Sequence, residues 1–116
     1  MSSYPSFETL AIDVKQRVAW VWLARENVRN AFNETMIAEL AQAFGRLGAD
    51  AEVRVIVLAA RGPAFCAGAD LDWMRRMSGY SLEENRRDAL QLATMLRTIH
   101  ACPKPTIARV QGDAYA

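Results

Sequence analysis

Residues Phe65–Leu71 read Phe-Cys-Ala-Gly-Ala-Asp-Leu, and this stretch decides the fold. It follows an apolar run over residues 53–60 that is typical of a buried strand, with a Gly-Pro turn between the two. A short helix is predicted over residues 71–77 directly after it. Gly68 allows close approach of the backbone to another group, and Asp70 is a residue type that caps a helix N-terminus. The stretch therefore predicts a strand–turn–helix junction.

A backbone donor is predicted at Ala69. The N–H of Ala69 would lie beside the positive end of the helix dipole, where developing negative charge is stabilised. We therefore expect Ala69 to supply one half of an oxyanion hole, with the second donor coming from elsewhere in the fold. Taken by itself, the same stretch is also typical of an ordinary structural junction, so the flanking sequence has to decide between the two interpretations.

Three tracts in order provide that context. Residues 65–71 resemble the first signature of the enoyl-CoA hydratase/isomerase (crotonase) superfamily, and residues 29–32 and 104–112 match further tracts at fitting spacing. The resemblance implies an α/β, crotonase-like (ClpP/crotonase) spiral of ββα repeats. Residues 1–116 would be the N-terminal part of a single such domain, ending inside the second signature. Residues 72–85 resemble a narrower group, which hydrates branched, carboxylated enoyl-CoAs such as 3-methylglutaconyl-CoA or carboxygeranoyl-CoA.

The resemblance implies addition of water across the double bond of a 2-enoyl-CoA, with the thioester enolate held by two backbone donors. Backbone groups in the loop near Val28 would contact the adenine, and Trp73 with Met74 would form part of the acyl pocket. Arg25 and Arg29 are either phosphate contacts or solvated loop residues. Asp70 is expected to cap the helix, a role that needs no further partner. The expected acyl-CoA-binding residues are Val28, Arg29, Ala31, Ala67, Gly68, Ala69, Asp70, Leu71, Trp73 and Met74.

The acid/base glutamates of the family are expected beyond Ala116, so this chain by itself should be incomplete and inactive. Its own helical glutamates are predicted to be solvated surface residues or caps: Glu34, Glu39, Glu83 and Glu84. Three alternatives to a hydratase stay open. They are an enoyl-CoA isomerase of the same superfamily, an inactive truncated product or weak acyl-CoA-binding module, and a protease of the related spiral fold. The protease ranks last because neither turn carries a serine with a nearby histidine.

Composition and net charge limit the classes of partner that the chain can have. A net charge of +1 and 52% apolar residues favour one globular unit and give no support to nucleic acid or a membrane as partner. Cys66 and Cys102 lack ligand spacing, and His100 is the only histidine, so no metal site is expected. A cytoplasmic protein with reduced thiols is predicted. No cofactor is expected because coenzyme A is part of the substrate, and the full-length family member should be a homotrimer or hexamer.

The remaining pattern predicts the framework around the junction. Strands are expected over residues 7–13, 18–24 and 106–110, and the second should be buried on both faces. Asn33 should cap a helix that stops near Gly48, and a Ser81–Glu84 capping box should open a long helix. The predicted core face of that long helix comprises Leu82, Ala89, Leu90, Ala93, Leu96 and Ile99.

An internal echo links two turns of the chain. Residues 62–66 and 112–116 share the pattern Gly-x-Ala-aromatic-small, and each follows an apolar strand. Chance is one explanation, since small residues are common here. The other is a repeated unit whose turns stack on one another. In that case the residues after Ala116 would supply the donor opposite Ala69.

Overall fold

A computed structural model describes residue 4 and residues 6–115 of the chain. It contains four strands, three α-helices and a short 3₁₀ turn at Glu26–Val28. In chain order the main elements are β1 (Leu10–Lys15), β2 (Val18–Leu23), α1 (Glu34–Ala49), β3 (Val55–Ala60), α2 (Leu71–Met77), α3 (Leu82–His100) and β4 (Thr106–Ala108).

The strands form one sheet in the order β1-β2-β3-β4. β1 and β2 are antiparallel, whereas β2, β3 and β4 are mutually parallel and are joined through helices. Val21 pairs with Leu58, and Val57 pairs with Ile107. Because the last three strands run in one direction, the loops that leave their carboxyl ends meet at the same edge of the sheet.

The β1–β2 hairpin is tighter than the sequence suggested. Gln16 and Arg17 form a two-residue turn with φ values of 50° and 69°, the left-handed conformation that matches the twist of a hairpin. Strand β1 therefore runs from Leu10 to Lys15 rather than over residues 7–13. The turn was expected between the two strands, over residues 14–17, but without an Asn-Gly pair its two-residue length was not predicted.

Helix α1 supplies much of the core. The side chain of Asn33 accepts a hydrogen bond from Met36 N at 3.0 Å, which confirms the predicted cap. The helix passes Gly48 and ends at Ala49, where Asp50 forms the C-cap. The apolar face of the helix is buried and packs with strand residues into one core: Met36, Ile37, Leu40, Phe44 and Leu47.

Strand β2 is buried on one face only, so the prediction of burial on both faces was wrong. Ala19, Val21 and Leu23 are buried, and the alternate residues are half-buried. On that second face the rings of Trp20 and Trp22 stack with centroids 5.5 Å apart. The two stacked indoles cover part of each other's surface on this half-buried face.

Helix α3 begins with the predicted capping box, with Glu84 N donating to Ser81 Oγ at 3.1 Å and Ser81 N donating to Glu84 Oε1 at 2.9 Å. Its predicted core face was largely wrong. Met95 is buried, with Leu92 and Ile99 packed beside it, whereas Leu82, Leu90 and Leu96 are exposed. The helix carries apolar residues on two sides, and periodicity did not reveal which side meets α1. None of the helices in residues 4 and 6–115 has the length and apolarity to cross a membrane.

Candidate active site

Three loops stack at the carboxyl edge of the parallel strands. They comprise residues 24–32, 61–70 and 109–115. A parallel bridge between Phe32 and Ala69 joins the first loop to the second, and a bridge between Cys66 and Ala114 joins the second to the third. The second bridge confirms the stacking predicted from the sequence echo, whose last residue, Ala116, lies outside the described residues. Gly112 permits this contact, because a Cβ atom there would lie 2.0 Å from Pro63 O.

The first bridge orients the peptide of Ala69. Phe32 N donates to Gly68 O at 2.8 Å, and Asp70 N donates to Phe32 O at 2.8 Å. Neighbouring residues of an extended segment direct their polar groups to opposite sides. The Ala69 N–H therefore faces away from Phe32, and no hydrogen bond within residues 4 and 6–115 uses it. The loop thus presents a half-buried backbone donor beside the start of α2.

Gly68 shapes the turn before this donor. Its φ of +87° lies in the left-handed region, which residues with a side chain rarely adopt. Its N–H donates to Cys66 Sγ at 3.5 Å, which gives the half-buried thiol a local structural role.

Asp70 caps α2, as predicted, and also has a second partner. Its side chain is buried and accepts a hydrogen bond from Trp73 N at 2.9 Å. The Arg25 guanidinium lies 3.1 Å from the other carboxylate oxygen, a partner that helix capping does not require and that the sequence did not indicate. The Trp73 N–H, and to a lesser degree Arg25, hold the pKa of Asp70 below its usual range, although burial opposes them.

Arg25 is committed to this internal contact. Its Nη1 atom also donates to Ala31 O at 2.6 Å, and its side chain is only 18% exposed. Because the carbonyl and the carboxylate both contact Nη1, the geometry favours a structural role for Arg25, and its phosphate contact stays a prediction. Arg29 is exposed, with a φ of 51°, and its carbonyl accepts from Ala67 N at 3.0 Å.

Asn30 holds the first two loops together, and sequence analysis missed it. The residue is fully buried with a φ of 59°. Its Oδ1 accepts from Arg25 N at 2.8 Å, while Nδ2 donates to Arg61 O at 2.8 Å and to Ala64 O at 3.0 Å. Asparagine tolerates left-handed backbone better than most residues, which is the one signal that was present in the sequence.

Gln111 repeats this contact from the third loop. Its Nε2 donates to Gly62 O at 2.8 Å and to Ala64 O at 3.3 Å. The turn after β3 is therefore held between two side-chain amides, one from the preceding loop and one from the following loop. Ala64 O accepts from both, so the loop that carries Ala69 is anchored on both sides.

A cleft of about 490 Å³ opens between the first loop and α2. Predicted site residues line much of it, namely Val28, Arg29, Ala31, Ala67, Ala69, Asp70 and Leu71. Sequence analysis missed three further lining residues, Asn27, Asp72 and Arg75. Gly68, also predicted, is buried and lies outside this lining.

Trp73 and Met74 lie outside this lining. Trp73 is 4% exposed, packs edge-on against Phe32 at 6.2 Å, and donates from Nε1 to Asp88 Oδ2 at 3.2 Å. Trp73 is therefore a core residue that packs against the Phe32 side of the Phe32–Ala69 bridge. Met74 is 49% exposed on the outer side of α2. In the described residues, neither forms a wall of the cleft.

The carboxylates of the cleft are already paired. Asp70 binds Arg25, and Asp72 lies 2.9 Å from Arg75 on the exposed side of α2. A general base needs a carboxylate that is free to accept a proton, and both carboxylates of the lining are paired with arginines. Within residues 4 and 6–115, no three His, Cys, Asp or Glu residues are grouped to hold a metal ion.

The other glutamates have structural roles of several kinds. Glu84 is a cap, as predicted, and the Ser81 N–H holds its pKa below the usual value. Glu34 binds Arg76 of α2, and this contact lowers the pKa of Glu34 and raises that of Arg76. Glu39 is neither cap nor free surface, because it accepts hydrogen bonds from Glu8 N at 2.9 Å and from Thr9 N at 2.8 Å. It anchors the segment that precedes β1.

A second hollow lies between α1 and α3. Its volume is about 520 Å³, and its apolar residues include Ile37, Ala41 and Leu90, with Arg86 and Arg87 among the polar ones. Its lining residues all lie on helices, where most backbone N–H groups are occupied within the helix; Glu83, in the first turn of α3, is the exception. This hollow is therefore lined mainly by helical side chains, unlike the first cleft.

Comparison with known proteins identifies the family. Residues 13–116 match the profile of the enoyl-CoA hydratase/isomerase family. The chain belongs to that family. Among its relatives is a Thermus thermophilus protein that carries the provisional name enoyl-CoA hydratase, 42% identical over 102 residues, covering 88% of this chain and 40% of the relative.

Solved structures of enoyl-CoA hydratases share the fold. One from Shewanella pealeana superposes with a TM-score of 0.89 at 37% identity, covering 91% of this chain and 40% of that one. Another, from Legionella pneumophila and provisionally described as an enoyl-CoA hydratase/isomerase (crotonase), gives 0.88 at 39% identity, covering 92% and 41%. The α/β architecture is thus the crotonase fold, as predicted. The chain spans about two fifths of the length of these proteins.

Proposed function

We propose that this chain forms the acyl-CoA-binding part of a hydratase-type lyase that adds water across the double bond of a 2-enoyl-CoA. The observation that carries the proposal is the unused Ala69 N–H at the wall of a cleft, beside the start of α2. Attack of water at the β-carbon moves charge onto the thioester oxygen. A preorganised backbone donor stabilises such charge, and losing one donor of this kind costs roughly 3–4 kcal/mol in other enzymes.

The nucleotide end of coenzyme A is assigned to the first loop in this proposal. Val28 and Ala31 line the cleft. Their N–H groups are used within the loop, so we assign the adenine contact to their carbonyl groups. Arg29 is exposed in the same lining, so its guanidinium is free to approach a phosphate. No separate cofactor is required, since coenzyme A belongs to the substrate.

The catalytic base and the second oxyanion donor are proposed to lie outside residues 1–116. Support comes from the cleft itself, whose two carboxylates are both paired with arginines. The chain alone is then expected to bind an acyl-CoA without hydrating it. The glutamates that would separate hydratase from isomerase chemistry belong to that outside part. The homotrimeric or hexameric assembly and the cytoplasmic location stay proposals for the whole protein.

Calorimetric titration tests the binding step. The chain is titrated with butanoyl-CoA, a saturated thioester that cannot be hydrated, and separately with free CoA. A thioester carbonyl at the Ala69 N–H should make butanoyl-CoA bind about threefold to tenfold more tightly, the range of one hydrogen bond. Equal affinities for the two ligands would contradict a hydrogen bond between the thioester carbonyl and the Ala69 N–H. Absence of binding would contradict the presence of an acyl-CoA site.

A hydration assay tests the other half of the proposal. Crotonyl-CoA incubated with the chain should remain unreacted, because the cleft contains no unpaired carboxylate. Turnover by the chain at a rate well above the uncatalysed reaction would show that a base is present among these residues.

A further inference from the structure

The Arg25–Asp70 pair spans the bridge that orients Ala69. Asp70 follows Ala69 directly, and its carboxylate lies 3.1 Å from Arg25 Nη1. The same Nη1 atom donates to Ala31 O at 2.6 Å, one residue before Phe32. One guanidinium therefore contacts both sides of the Phe32–Ala69 bridge.

Both members of the pair are nearly removed from water. Their side chains are 18% and 8% exposed, in contrast to the Asp72–Arg75 pair at 80% and 76%. An ion pair so shielded is little screened by salt, and the loss of one member leaves an uncompensated buried charge. The geometry of the pair is thus coupled strongly to the two loops that it joins.

Arg25 is itself held in place by the adjoining backbone. Its N–H donates to Asn30 Oδ1 at 2.8 Å, and its carbonyl accepts from Asn30 N at 2.9 Å. Asn30 in turn is fixed to the turn at residues 61–64. The guanidinium consequently projects from a rigid base, which a positioning residue requires.

We propose that Arg25 and Asp70 are positioning residues for the Ala69 N–H: they set the direction of this donor in the cleft and touch no substrate themselves. The inference rests on the proposed function, because it assumes that the thioester oxygen meets Ala69. The proposed role of Asp70 is additional to helix capping. Asp70 would cap α2 through Trp73 N without Arg25, whereas the guanidinium adds a contact to the opposite loop.

The test compares thioester preference, the ratio of the dissociation constants of free CoA and butanoyl-CoA. Asp70→Asn keeps a helix cap of similar strength but presents a neutral amide to Arg25. Arg25→Gln and the double variant complete a mutant cycle. The matched control is Glu34→Gln, which breaks the pair that ties α2 to α1, with Arg76 Nη2 and Glu34 Oε1 3.0 Å apart.

The preference should fall about threefold to tenfold in Asp70→Asn and no further in the double variant, with free CoA affinity changed less than about twofold. Glu34→Gln should keep the wild-type preference. A preference that survives in Asp70→Asn and in the double variant would overturn the inference. Equal losses of affinity for both ligands would do the same, because a merely structural role predicts them.

A ligand-free measurement separates this inference from the proposed function. If the wild-type chain binds neither ligand, the proposed function fails by itself. The ¹⁵N–¹H signal of Ala69 then decides about positioning. It should move or broaden in Asp70→Asn and stay in place in Glu34→Gln. An Ala69 signal that is the same in both variants would refute positioning by the pair.

Discussion

Two hollows of nearly equal size differ in what lines them. The cleft at the loop edge holds about 490 Å³ and the hollow between α1 and α3 about 520 Å³. The first is lined by loop residues, among them Ala69 with its unpaired N–H, and by the first turns of α2. The second is built from helical side chains around Leu90. Volume does not distinguish them, so the chemistry of the lining has to.

The difference originates in how each hollow is formed. Helices pack through side chains and satisfy their own backbone, so a gap between two of them offers side-chain chemistry only. Stacked loops form hydrogen bonds between their backbone groups. Where the stack begins or changes direction, a backbone N–H can stay without a partner. In this chain Asn30 and Gln111 occupy the carbonyls of residues 61–64 from both sides. The Ala69 N–H is left without a hydrogen-bond partner among the described residues.

Loss of the Asn30 amide should have the largest effect. Asn30→Ala removes three hydrogen bonds and leaves buried polar groups unpaired in a left-handed residue, so we expect a loss of about 3–5 kcal/mol in the free energy of unfolding. Denaturant titration measures it. Asn27→Ala, exposed in the same loop, is the control and should change stability by less than about 0.5 kcal/mol. Similar losses in both variants would contradict the anchoring role.

The stack of loops should also fail at Gly112. In Gly112→Ala the added methyl would lie 2.0 Å from Pro63 O, so the third loop has to move away from the second. Overpacking of this kind costs about 1–3 kcal/mol. Gly45→Ala is the matched control, since its Cβ meets nothing within 4 Å and α1 should gain stability of about 0.5–1 kcal/mol. Opposite signs of the two changes in thermal unfolding are the expected result.

Charge should matter in the cleft and not in the hollow. Arg29→Gln is expected to weaken binding of free CoA about threefold to tenfold, because it removes a cation from the proposed phosphate contact. Arg87→Gln, at the hollow between α1 and α3, should leave the affinity unchanged within about twofold. Equal weakening by both substitutions, measured by calorimetry, would mean that only the overall charge counts.

The smallest effect is expected at low pH. The pKa of Asp70 is lowered in the folded chain relative to 3.8, so its contribution to stability is complete above that value and is lost as the pH falls through the folded pKa. Asp70→Asn should reduce the acid-induced loss of stability between about pH 5 and pH 2. Asp13→Asn, at an exposed pair with Lys15, should not. An unchanged acid transition in Asp70→Asn would contradict the buried pairing.

The local elements of the site were predictable from the sequence because their signals are local. The caps at Asn33, Asp70 and Ser81 and the bounds of α2 follow from adjacent residues. The stacking of the loops at Cys66 and Ala114 was predictable too, because the repeat is written in the sequence.

The contacts that complete the site were not predictable in this way. Arg25 meets Asp70 and Asn30 meets Arg61 across the sheet edge, and no local pattern encodes a partner that far away along the chain. The exposure of Leu90 and Leu96 was not predicted from the sequence, for a related reason. Helical periodicity indicates an apolar face, but the packing against α1 decides which of two such faces is buried.

A chemical-shift map of the ¹⁵N-labelled chain with butanoyl-CoA is the most direct test of where the substrate binds. We predict that Val28, Ala31 and Ala69 shift, and that Ala69 shifts with butanoyl-CoA but not with free CoA. Shifts centred on Leu90 and Gln91 at the hollow between α1 and α3, with Ala69 unmoved by either ligand, would contradict the assignment of the loop-edge cleft as the acyl-CoA site.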